Sequence, residues 1–178
     1  MRTAVASFAF VAFLAAPMPS PAQVTVGIAL APPAMRVYAQ PPCYRQNSIW
    51  APAYWAYGPS GYRWVTGRWV VAPATGQFWT PGYWGYRSNA YYWHRGYWGR
   101  TVGFYGGVNY GHGYFGTGYV GGRWYGNAFR YNTAVTNVNR TVIHNTYVDK
   151  TVVYRNGDNH VRYDGTNPHG ARSHHPPR

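Results

Sequence analysis

Catalysis at a protein surface needs acids, bases, nucleophiles or metal ligands within reach of one another, and this chain is short of acids. It holds fifteen Arg and one Lys, no Glu, and only Asp149, Asp158 and Asp164. A hydrolase built on paired carboxylates needs two of them flanking one bond, and residues 1–148 contain none. A Ser-His-Asp relay would have to borrow its acid from the last thirty residues. His94, His112, His144 and His160 stand alone and read as surface or core residues. His169, His174 and His175 could catch a transition metal weakly, but a structural site wants fixed geometry and usually four ligands. Two copies of G-x-G-x-x-G, at residues 111–116 and 116–121, have no helical pattern after them. A dinucleotide site would need a strand before, a helix after and an acid further on. The expectation is a non-enzymatic chain with no catalytic residues, no cofactor and no metal.

Binding is the other chemistry the residues offer. A net charge of +13 attracts polyanions such as lipopolysaccharide, acidic polysaccharide or nucleic acid. The arginines are scattered, however, and scattered Arg also stack on aromatic faces as a structural device. Cys43, the single cysteine, has no internal partner and is either a free thiol or an intermolecular link. Among Pro41, Pro42 and a lone neighbouring Arg45 it reads as a half-buried small residue, because nothing else nearby would activate it.

The elements that would position these groups begin after a leader. Arg2, an apolar run over residues 4–16 and small residues Ser20 and Ala22 at the −3 and −1 positions read as a signal peptide over residues 1–22. The run is too short for a membrane-spanning helix of roughly 20 residues, although an uncleaved anchor is the competing reading. No second apolar stretch follows, so no transmembrane helix is expected in the mature chain. Residues 23–45, with Pro32-Pro33 and Pro41-Pro42, read as an extended arm of polyproline character.

Residues 46–131 read as a β domain. After residue 22 there is one Leu and three Ile, so aromatics and Val must supply the core. Eight of the nine Trp fall in one pattern: WAPAYW (50–55), WVTGRW (64–69), WTPGYW (79–84) and WHRGYW (93–98). The leading Trp recur after 14, 15 and 14 residues, a repeat of supersecondary units. Turn-forming GPSG (58–61), PATG (73–76) and RSNA (87–90) separate them, so the fold class is all-β, an antiparallel meander continued by Gly/Tyr-rich strands. One register per hairpin opposes every Trp with another. Two ladders follow, Trp50–Trp69–Trp79–Trp98 and Trp55–Trp64–Trp84–Trp93, each rung contributing roughly 0.2–1 kcal/mol. Trp five apart lie on opposite faces of a regular strand. Pro52 and Pro81, with Gly67, Gly82 and Gly96 at the next motif position, suit a bulge that would bring both ladders onto one face, to be covered by the strands of residues 101–131 or by another subunit. Regular strands would instead leave one ladder facing water as a sugar-stacking platform, with Arg63, Arg68, Arg87 and Arg95 near it.

The run APPAMRVYAQPPC (31–43), the WxPGYW motifs and the Gly/Tyr-rich block of residues 96–124 resemble the bacterial YXWGXW-repeat, or WXXGXW-repeat, proteins. The resemblance covers about residues 24–155 and implies an exported, repeat-built cell-envelope protein with no established activity. Some members look like lipoproteins, whereas this chain has no Cys directly after its apolar run. Thr66 and Arg95 stand where the family often has Pro, and Ala53 where it has Gly.

Residues 132–163 are rich in Asn, Thr and Val, with a hairpin expected over residues 152–163 around Asn156-Gly157. Residues 164–178 are polar and read as a disordered tail. The functional expectation is a structural or interaction protein of the periplasm or cell envelope, with glycan binding by stacked Trp and Tyr as the alternative. The partner expected is an envelope polysaccharide or another envelope protein, and not nucleic acid. N-terminal sequencing of envelope material should find a chain beginning at Gln23, and an intact Met1 or a wholly cytoplasmic protein would refute the leader.

Overall fold

A strand needs a partner for its backbone groups, and in this chain the repeats supply it to one another in pairs, the first with the second and the third with the fourth. The computed structural model describes residues 27–151, and its thirteen named elements are all strands. The first hairpin comprises β1 (Ser48–Ala51), β2 (Tyr54–Gly58), β3 (Gly61–Val65) and β4 (Arg68–Val71). The second comprises β5 (Phe78–Thr80), β6 (Tyr83–Arg87), β7 (Ala90–His94) and β8 (Tyr97–Gly99). In the first, Trp55 opposes Trp64 and Trp50 opposes Trp69. In the second, Trp84 opposes Trp93 and Trp79 opposes Trp98. These are the registers the Trp spacing requires. All four rungs share one geometry, with centroids 5.1–5.4 Å apart and planes inclined by 55–65°. That is the edge-to-face range aromatic rings favour.

Two expectations are corrected. The meander does not continue from one hairpin to the next: β4 stays on β1 and β5 pairs with β8, so Trp69 and Trp79 are not cross-strand partners. The ladders therefore have two rungs each, not three. The cause is local. The tips at residues 58–61 and 87–90 close as two-residue turns, the second with Ser88 and Asn89 both at positive φ (48° and 60°), the conformation that matches strand twist. Residues 72–77 form no such turn. Ala72 N–H still donates to Asn47 O at the open end of the first hairpin (3.0 Å), and Gln77 O accepts the Trp124 indole N–H (2.9 Å). The second correction is that no bulge occurs in either hairpin. Each ladder opens symmetrically, at residues 52–53 opposite 66–67 and at 81–82 opposite 95–96, and resumes in the same register. Pro52 and Pro81 sit in these openings, where no ladder N–H is missed.

The arm of residues 27–45 straps the first hairpin. It is pinned by a bridge of Ile28 to Tyr91 and another of Cys43 to Val138. An extended Pro-rich segment makes no internal hydrogen bonds and leaves its carbonyls bare, while an indole can only donate. The two needs meet: Trp55 Nε1 donates to Ala34 O (3.0 Å) and Trp69 Nε1 to Pro41 O (2.8 Å). Arg36 lies over both Trp55 and Trp64, and the Tyr38 ring touches Trp50 and Trp64. One strap thus reaches all four tryptophans of the hairpin, so both Trp pairs lie on the same side. The cover there is shared between the arm and the residues beyond 101, since His112 meets Trp50, Tyr131 meets Trp69, and Phe129 and Tyr131 pack with Ile49.

Those later strands are β9 (Asn109–Gly111), β10 (Tyr114–Phe115), β11 (Gly122–Tyr125), β12 (Ala128–Asn132) and β13 (Thr146–Tyr147). β13 pairs parallel to β12, which the antiparallel reading did not anticipate. Buried Asn132 makes that return possible. Its amide donates to Val120 O and Asp149 O and accepts from the N–H groups of Ala134 and Asp149, a full complement for one side chain. Cys43 is fully buried, not half-buried, in a cluster with Ile49, Phe129, Tyr131, Val138 and Ile143, and burial raises its thiol pKa. A second cluster is built from Tyr105, Val108, Tyr110 and Tyr114. The leader, the hairpin expected over residues 152–163 and the tail lie outside the described residues.

A tyrosine-built core has a consequence at high pH. Burial raises the pKa of Tyr105, Tyr114, Tyr119 and Tyr131, and lifts Tyr62 to about 12, with Tyr57 and Tyr91 adding to the shift. Below pH 10 these hydroxyls are protonated in both folded and unfolded chains, and stability does not depend on them. Above it the unfolded chain ionises first, so stability falls as pH rises towards and through 12. A spectrophotometric titration should show the buried tyrosines ionising only as the protein unfolds. Simultaneous ionisation of all tyrosines without loss of structure would contradict it.

Candidate functional site

The repeat motif acquires a physical meaning at its fourth position. A Cβ on Gly67 would lie 2.4 Å from Trp50, one on Gly82 2.5 Å from Trp93, and one on Gly96 2.5 Å from Trp79. In each case the ring is the leading Trp of the antiparallel partner repeat. The indole occupies the space a side chain would need, so glycine is required at these positions by close approach. Ala53 holds the equivalent place in the first repeat and is buried.

The third motif position has a different fate. Pro52, Thr66, Pro81 and Arg95 all line a single cavity of about 490 Å³ between the two hairpins. It forms because both ladders open at these positions and the hairpins meet through rings rather than strand edges. Tyr54 stacks on Trp93 (4.9 Å, 18°), the Tyr62 ring meets Trp84 edge-on, and Trp84 Nε1 donates to Trp55 O (2.8 Å). Buried Pro52, Pro81 and Gly82 also line it, while Thr66, Arg68 and Arg95 are exposed. Tyr54, Trp79, Trp93 and Tyr110 supply aromatic lining. Tyr110 is held by its hydroxyl, which donates to Gly82 O (2.6 Å). No carboxylate lines this space.

The structure divides the residues singled out in sequence. Trp79, Trp93, Arg68 and Arg95 come together at the cavity. Trp50 and Trp55 are buried, and Trp64, Trp69, Trp84 and Trp98 are half-buried in ring contacts away from it. None of the eight repeat Trp is exposed, so no ladder faces water as a free row of rings. Arg63 is exposed opposite Ala56, and Arg87 lies over Tyr92 (4.5 Å); neither lines the cavity. Sequence reasoning missed Tyr54 and Tyr110 as lining residues and Arg36 as the arginine that stacks on Trp. The usable signal was the third position, where Thr66 and Arg95 depart from Pro.

Titratable groups suited to acid–base work are few. His112 packs between Tyr38 and Trp50, its Nε2 3.2 Å from Tyr38 O, and burial lowers its pKa while that contact opposes the shift. Among the described residues no group of three or more His, Cys, Asp or Glu could hold a metal ion, and no helix is long and apolar enough to cross a membrane.

A family model, the WXXGXW repeat, matches the chain in two copies, at residues 49–70 and 75–98. Each copy coincides with one hairpin and holds two of the Trp motifs. No curated protein and no solved structure matches the chain.

If the glycine is a seat for the partner's indole, filling it must unseat the ring. Gly82→Ala should lower stability by about 1–3 kcal/mol, the usual cost of overpacking, in urea denaturation. Gly58→Ala at the exposed hairpin tip, where a Cβ meets nothing within 4 Å, should change it by less than about 0.5 kcal/mol. Equal effects at the two sites would remove the explanation of the motif.

Proposed function

We propose that this WXXGXW-repeat protein is exported to the cell envelope and acts there without catalysis, as a structural module that holds an envelope polymer or protein. The observation that carries the reading is the commitment of the repeat tryptophans to the fold. All eight are paired ring to ring, Trp50, Trp79 and Trp93 lie against glycines, and the arm straps those of the first hairpin, so their first role is mechanical. The scarcity of acids supports a part that binds rather than transforms. Export is supported by the apolar leader with its small-residue site. An outside compartment also suits a chain whose lone thiol is sealed from oxidants in the core.

Glycan binding stands as a second reading because one observation favours it: the arginine-bearing cavity between the hairpins. It requires no exposed ladder, only the recess.

Trp50→Ala should cost about 3–5 kcal/mol in urea unfolding, where a ring serving as an exposed platform would change stability by under about 1 kcal/mol. The purified protein should also co-sediment with envelope material and leave the chain length of its polysaccharides unchanged after long incubation. Shortened products, or a protein found only in the cytoplasm, would overturn the proposal.

A further inference from the structure

We infer that the cavity between the two hairpins is a binding site for a carboxylate-bearing pyranose, a uronic acid unit of an acidic polysaccharide. The inference deepens the interaction reading above and rests on it for the compartment in which such a polymer is met.

Three observations converge. The first is charge without compensation. Arg68 and Arg95 line the cavity and are exposed, and no acid lines it with them. The guanidinium groups of Arg36, Arg87, Arg123 and Arg130 lie over aromatic rings. Arg68 and Arg95 are not among these, so their planar forks are available to a carboxylate, which Arg can engage bidentately. The second is the walls. Tyr54 and Trp93 are already stacked on each other, Trp79 is held edge-to-face by Trp98, and Tyr110 is tied to Gly82 O. Rings fixed before a ligand arrives lose little freedom on binding. The parts of these rings that line the cavity give it a rigid apolar wall for the C–H groups of a pyranose, while the polar atoms of the sugar can turn to the arginines and Thr66. The third is size. A cavity of about 490 Å³ falls within the ~300–1,000 Å³ of small-ligand sites, suited to one or two sugar rings and not to a folded partner.

The repeat accounts for why the site is here. Position three of all four motifs meets in this space. Pro52 and Pro81 provide an apolar lining without N–H donors, and Thr66 and Arg95 bring hydrogen-bonding groups where the other two repeats have Pro. Polarity is thus concentrated at the positions where this chain departs from the repeat. Arg68, at position five of the second motif, adds the second charge.

The test is calorimetric titration of the purified protein with digalacturonic acid, its neutral counterpart galactobiose, and inorganic phosphate. Digalacturonate should bind, galactobiose should bind at least about tenfold more weakly, and phosphate should not compete at equal concentration. Arg68→Gln and Arg95→Gln should each weaken digalacturonate by about ten- to a hundredfold, the range for losing a hydrogen bond to a charged group. Arg63→Gln removes the same charge from an exposed strand position outside the cavity and should leave binding within about twofold of the starting protein, well short of the tenfold that one such bond carries. Thr66→Phe, which crowds the rim without touching charge, should abolish binding while circular dichroism stays unchanged. Equal binding of the two disaccharides, equal loss in Arg63→Gln and Arg68→Gln, phosphate binding as tight as the sugar acid, or no binding of digalacturonate would each overturn the site. Co-sedimentation with envelope material that survives in the Arg68→Gln/Arg95→Gln double variant would sink this inference alone and leave the structural role standing.

Discussion

The contact on which the rest depends is an indole ring lying where a glycine has no side chain. Three of the four leading Trp, Trp50, Trp79 and Trp93, cross to the antiparallel partner and cover its fourth residue, a glycine; Ala53 holds that place in the first motif. That seat sets the register within each hairpin, because a slip would move the ring onto a residue with a Cβ. It also brings the ladder to an opening, since the ring and the glycine backbone occupy the middle of the hairpin. Openings in two facing hairpins then leave the recess between them. Register, interruption and cavity are three results of one steric fact.

The arm depends on a second complementarity, between groups that can only donate and groups left only to accept. Indole N–H has no acceptor function, and a Pro-rich extended segment has carbonyls that no helix or sheet consumes. Trp55 and Trp69 therefore find Ala34 and Pro41, and the strap becomes part of the core although it has almost no regular structure. Tyrosine does the same work elsewhere. Tyr62, Tyr105, Tyr110 and Tyr114 each place a hydroxyl on a backbone carbonyl far along the chain. A core poor in aliphatics thus gains long-range hydrogen bonds, because many of its rings carry their own donors to irregular backbone.

Much of this was legible, and its limits have identifiable causes. The Trp spacing within each pair of motifs states two hairpin registers, and both are formed. Spacing alone does not say which neighbours pair, since 14 and 15 residues are nearly the same interval. GPSG, PATG and RSNA look alike as turn formers, and only the geometry at Ser88 and Asn89, against the longer excursion through Gly76, separates a tight turn from a linker. The bulge was inferred because Pro52 needed relief from the ladder. A symmetric opening gives the same relief without shifting the register, and no sequence pattern distinguishes the two. At the site, Arg68 and Arg95 were among the candidates, but so were Arg63 and Arg87. Which arginine faces the recess depends on ribbon twist and on how the hairpins cross, neither of which is written in the spacing.

A last consequence concerns parity. Because the seat for each leading Trp belongs to the opposite repeat, a single repeat has a ring without a seat and a glycine without a cover. Two repeats supply each other's seats, and the register of the first hairpin is set by pairing within it. A chain of this kind can therefore lengthen or shorten by whole hairpins, two motifs at a time, but not by one. An odd motif would leave a Trp with no glycine to lie on and an unpaired strand edge beside it. The countable unit of such sequences is the pair.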